Sequence, residues 1–518
     1  MRLNSPLTPS RRHLLQLAAL TAVLPRLVRP AKAEERQPFS FDALSEEMHA
    51  AAGQPWAPAE PAQAWWGDLD YDSYRLIRFR DDQARWQDGP DDWRLLAFHM
   101  GWLFPEPVRL FDVTDGNVTE LGFSTDDFEY FGNLAAKVPA HGDLPGVAGF
   151  KLNWPLNRPD RLDEVVSFVG ASYFRALGRD NVYGASARGL ALNTWVKGPE
   201  EFPRFSRFYV ARNGDSAIVH ACLEGPSVTG AYRFAIRPGA VTEMDVTARL
   251  FFRDAVEELG IAPLTSMFLF AGQNRAAFDD YRPNVHDSDG LRIVRSNGDP
   301  VWRPLGNPEK LASSYFGEPS LRSFGLFQRE REFESYEDPG ARYDLRPSIE
   351  VVPQGDWGRG AVRLVEIPSA LEANDNIVAF WVPEGAVAAG DAREFSYTLR
   401  WGELPPDFDG PLAMVVETRA GAAGVAGIAA LENARKFAVD FRGGRLASLP
   451  GDASLQPVVT VSGGHVVSSV LERLPESSDW RVVLDVAAER EAVVEITLHI
   501  AGFDERLTET WAYQWVNV

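Results

Sequence analysis

Hydrophobic and polar positions alternate along much of the chain. In 494–500, Val494, Ile496, Leu498 and Ile500 fall on one side and Glu495, Thr497 and His499 on the other, the period of a half-buried strand. Further on, Thr510-Trp511-Ala512-Tyr513-Gln514-Trp515-Val516 sets three aromatic rings on a single face. Short apolar runs bounded by polar or turn-forming residues recur throughout, as in 481–486. Helical spacing is scarce. One helix is predicted over 41–52, where Leu44 and Met48 lie four apart, and a short second one over 171–177. A strand pattern in 394–401 is followed by Glu403-Leu404-Pro405-Pro406-Asp407-Phe408-Asp409-Gly410-Pro411, whose prolines cannot continue it. The pattern therefore predicts an all-β protein. A large antiparallel β-sandwich occupies 34–401, and the remaining stretch, 402–518, has the size of one immunoglobulin-like β-sandwich.

Composition agrees with many short strands, since 43 glycines and 36 prolines among 518 residues supply the turns. Charge narrows the function. Net charge is 52 − 73 = −21, an excess that repels a nucleic-acid duplex or an anionic membrane surface. Cys222 is the only cysteine, so no intramolecular disulfide and no cysteine-based metal site can form. The positive charge is uneven. Residues 1–33 hold Arg2, Arg11, Arg12, Arg26, Arg29 and Lys32 and no acid. They also hold the apolar stretch Leu14-Leu15-Gln16-Leu17-Ala18-Ala19-Leu20 and a closing Ala31-Lys32-Ala33. These are the parts of a secretory signal with an A-x-A cleavage site, too short to span a membrane. The Arg11-Arg12 pair just before the apolar stretch predicts twin-arginine export to the periplasm.

Familiar catalytic signatures are missing. There is no H-E-x-x-H and no G-x-S-x-G, and Asp287-Ser288-Asp289-Gly290 lacks the remaining ligands of a calcium loop. Acids and aromatics do crowd together between 279 and 381, around Asp279-Asp280-Tyr281-Arg282, Trp302-Arg303-Pro304, 336–346, Asp356-Trp357-Gly358 and Glu372-Ala373-Asn374-Asp375-Asn376. Aromatic rings stack on the apolar faces of sugars, and paired carboxylates suit glycosidic cleavage, one supplying a proton and the other activating water. The same acids beside Gly and Pro also suit turns, and Trp381, closing the apolar run 377–381, suits a core. Read alone, these residues point to a carbohydrate-active β-protein.

Longer motifs sharpen that reading. Leu69-Asp70-Tyr71-Asp72-Ser73-Tyr74-Arg75, Gly170-Ala171-Ser172-Tyr173-Phe174-Arg175-Ala176-Leu177-Gly178, Tyr183-Gly184-Ala185-Ser186-Ala187-Arg188-Gly189-Leu190, Ala262-Pro263-Leu264-Thr265-Ser266-Met267-Phe268, His286-Asp287-Ser288-Asp289-Gly290-Leu291 and Asp375-Asn376-Ile377-Val378-Ala379-Phe380-Trp381 recur in order. Together they resemble the periplasmic glucan biosynthesis proteins G and D, with the paired-arginine signal closer to the D branch. The resemblance implies a mutarotase-like large sandwich acting on linear β-1,2-glucan, most simply as an anomer-inverting endo-β-1,2-glucanase. Transglycosylation or cyclisation at the same site, and non-catalytic glucan binding, are the alternatives. It implies Asp375 as general acid and Asp287 as general base, with Asp289 the rival base. Glu372, Tyr343, Arg346 and His286 are expected to meet substrate, and Trp302 and Trp357 to act as sugar platforms. Ser186 and Arg188 are expected to be structural. No cofactor or metal is expected. The implied partners are β-1,2-glucan chains, with room for a membrane glucan synthase and for a homodimer, and no nucleic acid.

Overall fold

Alternation becomes burial in the strand Thr242–Phe252, where Thr242, Met244, Val246, Ala248 and Leu250 turn inward and the residues between them stay partly exposed. It pairs antiparallel with Val228–Arg237 on one side and Ala392–Gly402 on the other. In the computed structural model, which describes residues 38–58, 64–89, 91–196, 198–425, 427 and 430–517, this strand lies inside a fifteen-stranded sheet. A second sheet of ten strands faces it, running from Arg94–Phe98 through Gly149–Arg158, Arg161–Val169, Leu259–Ser266 and Ile377–Pro383 to Ala312–Glu318. The signal predicted in 1–33 lies outside the described residues.

One aromatic core fills the space between the sheets. Phe168 and Phe174 from the ten-stranded sheet each approach Phe234 of the other to 5.2 Å between ring centres. Trp381 and Trp401 are wholly buried there, as expected for Trp381. Replacing one such ring by alanine typically costs about 3–5 kcal/mol, so these positions define the sandwich. The protein is an all-β sandwich fold.

Chain beyond Gly402 adds a smaller sandwich. Met414–Ala422, Ala434–Arg442, Trp480–Ala487 and His465–Arg473 form a four-stranded sheet. Opposite it lie Gln456–Ser462, Val493–Gly502 and Thr510–Val516, with Phe437, Phe441, Trp480 and Trp511 between. These latter strands belong to the fifteen-stranded sheet. Thr510–Val516 pairs in parallel with Pro300–Pro304 at Val301↔Thr510 and Trp302↔Trp511. A buried ion pair reinforces the join: Arg329 bonds Glu509, whose side chain is fully enclosed and also accepts the Val415 N–H at 2.7 Å.

The helix Phe41–Ala52 forms as predicted, capped by the Ser40 side chain and burying Leu44 and Met48. The second predicted helix does not form. Ala171 sits in the left-handed region at φ 40°, and Tyr173–Ala176 is a strand paired with 166–168 and 187–188. The reason is a period of two: Phe174 and Ala176 bury fully, while Tyr173 and Arg175 point the other way.

Candidate active site

A cleft of about 1010 Å³ opens over one face of the ten-stranded sheet, lined among others by Phe104, Glu164, Tyr173, Arg175, Asn374 and Asp375. Two acid-bearing loops converge near it on one short segment, 266–268. Asn376 holds the first. Its side chain accepts the Phe268 N–H at 2.8 Å and donates to the carbonyls of Phe268 at 2.9 Å and Ile367 at 3.1 Å. That buried anchor fixes the turn in which Asp375, one residue earlier, projects into the cleft with its side chain 32% exposed. The second loop is held by the Asp287 N–H donating to the Met267 carbonyl at 2.8 Å and by the contact of the Ser288 and Ser266 hydroxyls at 3.0 Å.

Asp287 is buried and ion-paired with Arg346. Burial pushes its carboxyl up to about 6; the Arg346 charge pulls it down, the Asp375 charge pushes it up and the Arg175 charge pulls it down again. Asp287 and Asp375 therefore feel each other across the site. Arg346 follows the turn Tyr343–Leu345, donates to the Ala341 carbonyl at 3.2 Å and lies 4.3 Å above the Tyr343 ring. Its Cβ packs against Gly184, where an added Cβ would come to 2.9 Å, so only glycine allows this approach. Across the cleft, Arg175 places Nη2 3.7 Å from Asp375 Oδ2. Tyr183 donates to Glu164 at 2.7 Å, and Lys151 pairs with the same carboxylate at 3.0 Å. Among the described residues, no cluster of three or more His, Cys, Asp or Glu is arranged to hold a metal ion.

With this geometry in view, comparison with known proteins is decisive. A family model described as "Periplasmic glucan biosynthesis protein, MdoG" matches residues 39–515. The chain belongs to this family. It is 60% identical over 484 residues to "Glucans biosynthesis protein G" of Cereibacter sphaeroides, covering 93% of this chain and 90% of that one. "Glucans biosynthesis protein G" of Rhodopseudomonas palustris is 39% identical over 513 residues, covering 98% and 99%. "Glucans biosynthesis protein D" of Xanthomonas axonopodis pv. citri is 40% identical over 530 residues, covering 98% of each chain.

Not all residues suggested by the family resemblance meet at the cleft. Asp375, Asp287, Arg346 and Tyr343 cluster. Glu372 joins them through Arg282, which it meets at 2.8 Å, and its charge helps burial push the Tyr343 hydroxyl upward. Arg282 also binds Asp280 and Asp338, so this corner is braced. His286 lies behind, stacked on Phe268 and bonded through Nδ1 to Gln328 at 3.0 Å; burial pushes it down to about 3, so it is neutral. Asp289 turns away to cap its loop, accepting the Arg329 N–H at 2.9 Å and the Glu330 N–H at 3.1 Å. Trp302 and Trp357 are core side chains rather than exposed platforms. Arg329 covers Trp302 at 3.5 Å, and Gly290 has no side chain because a Cβ would meet that indole at 2.1 Å. Trp357 packs on Trp381, Phe395 and Tyr397 and donates to the Ser396 carbonyl at 3.1 Å. Ser186 bonds Thr265 inside the sheet, and Arg188 pairs with Glu200 at 2.8 Å. Sequence reasoning missed Tyr173, Arg175, Glu164 and Tyr183. A strand period over 171–177 would have put Tyr173 and Arg175 on one face.

Proposed function

We propose that the protein hydrolyses linear β-1,2-glucan within the chain, with inversion at the anomeric carbon. The observation that supports this most is the unlike pair of carboxylates on two loops anchored to one segment: Asp375 open to the cleft, Asp287 buried with a carboxyl raised to about 6. Asp375 gives its proton to the glycosidic oxygen as the C1–O bond breaks. Water attacks C1 from the opposite face and loses its proton to Asp287, directly or through ordered water. A base that titrates near neutral pH is ionised when needed yet basic enough to accept a proton. Arg175 and Arg346 place positive charge beside the two carboxylates, and a neutral sugar chain suits an acidic protein with an aromatic-lined cleft. Export follows the Arg11-Arg12 signal to the periplasm; changing both to Lys should leave the precursor in the cytoplasm, and undiminished export would refute the twin-arginine route.

The test is the fate of linear β-1,2-glucan incubated with purified mature protein. New reducing ends of inverted anomeric form are expected. Longer or ring-closed products would instead make the reaction a transfer to a sugar hydroxyl, and bound but unchanged glucan would make the protein a binding factor. Asp375→Asn keeps the shape of the side chain and lacks the proton, so turnover should fall below detection while glucan binding and thermal stability persist. Near-normal turnover in that variant removes Asp375 from the general-acid role.

A further inference from the structure

A second large concavity, about 950 Å³, lies beside the cleft, between the loops at the end of the ten-stranded sheet and the smaller sandwich. It adjoins the cleft, because Pro368 and Ser369 line both. That shared ridge is rigid: Asn307 donates to the Ser369 carbonyl at 2.7 Å and accepts the Ser369 N–H at 2.9 Å. The lining is rich in side-chain amides, with Gln273, Asn274, Asn307, Asn433 and Gln514 around one groove. Its lining charges are of both signs, Arg303, Lys310 and Arg435 with Glu309 and Glu366. Arg303 pairs with Glu366 at 2.8 Å, and Arg435 donates to the Gln273 carbonyl at 2.7 Å. The far wall is the last strand. Its parallel partner reaches only Trp511, so from Tyr513 onward that edge borders the groove. Trp515 belongs to this wall, packed on one side against the small core and only partly buried.

Main-chain edge groups, side-chain amides partly engaged within the protein and one partly buried indole suit a neutral polyhydroxylated ligand rather than an apolar one. We infer that this groove is a second glucan-binding site, which holds the distal part of the same chain that lies in the cleft. This rests on the proposed glucan substrate. The geometry makes the site a length sensor: a short oligosaccharide fills the cleft alone, while a polymer crosses the ridge at Pro368 and Ser369 and gains the groove.

Trp515→Ala and Trp515→Leu test it, the leucine keeping apolar packing while removing the flat ring. KM for polymeric linear β-1,2-glucan should rise about tenfold in both, the scale of losing one aromatic anchor. Kinetics on a short β-1,2-oligosaccharide should not change. Equal values on the polymer for parent and both variants would overturn the groove while leaving the hydrolase reading intact, as would equal losses at both lengths in a variant that melts like the parent. Affinity electrophoresis in polymer-containing gel separates the two proposals, since it needs no turnover. Retardation that depends on Trp515 in a parent that releases no products would keep the groove and remove the hydrolase. A parent that is not retarded at all would remove the groove.

Discussion

In the proposed reaction Arg346 holds the carboxyl of the base Asp287 down against burial, and replacing it by Gln measures by how much. The guanidinium touches the carboxylate directly. Two unit charges about 4 Å apart in an effective dielectric near 20 attract by ~4 kcal/mol. At ~1.4 kcal/mol per pKa unit that is about three units of downward pull. Arg175 keeps pulling in the variant, and water enters the vacated volume, so about one to two units of upward movement are expected. From a starting value of about 6, Asp287 would then titrate between roughly 7 and 8. The base must be ionised to act, so the acid limb of kcat/KM should move upward by the same interval. At pH 6 the variant should run about tenfold to a hundredfold below its own plateau. The assay is reducing-end release from linear β-1,2-glucan across pH, with Arg346→Lys as the control that keeps the charge and the limb near its parental position. An active Gln variant whose acid limb stays in place would show that the limb belongs to another group. A raised KM with an unmoved limb would make Arg346 a sugar ligand only.

Asp289 offers a test on stability instead of rate. Burial raises its carboxyl to about 6, above the unfolded value of 3.8, so the folded state holds the proton more tightly. Its contribution is most favourable below pH ~3.8 and is lost as pH rises to ~6, up to ~3 kcal/mol in total. Asp289→Asn removes that dependence, so its stability relative to the parent should improve between pH 4 and 6 in denaturant titrations; a pH-independent difference would contradict the burial argument. Glu509→Ala strips the buried Arg329 charge of its partner and should cost about 3–5 kcal/mol in equilibrium unfolding. A loss under about 1 kcal/mol would mean that Arg329 is hydrated or re-paired.

Strands were readable in the sequence because one face of each is buried, and burial writes a period of two. The segment 171–177 misled because a short apolar run fits a helix or a strand equally well. What decides it is pairing with 166–168 and 187–188, a long-range fact. The cost was functional, since the helical reading separates Tyr173 from Arg175. The two tryptophans failed for a related reason. Pro300–Pro304 is buried on both faces, enclosed by the smaller sandwich, and composition cannot tell a covered indole from an open one. Asp287 and Asp289 are two residues apart and would share a face in a straight strand. They diverge because Asp289 is drawn back by two main-chain N–H groups. The loops bearing Asp375 and Asp287 were recognisable as motifs, but the 266–268 segment that registers them against each other emerges only from tertiary contacts.

Pairing of the last strand with Pro300–Pro304 also has a consequence for biogenesis. A ribosome makes the chain from its N-terminus, so Pro300–Pro304 waits as an open border of the large sheet, with the Trp302 indole uncovered, until Thr510–Val516 has emerged. Folding of this border then closes only once that strand has been made. A nonsense or frameshift product ending before Thr510 would keep a sticky strand border and the unpartnered Arg329 charge, marking it for proteolysis or aggregation. The Thr510–Val516 strand thus serves as a check, recorded in the sheet itself, that translation has passed Thr510.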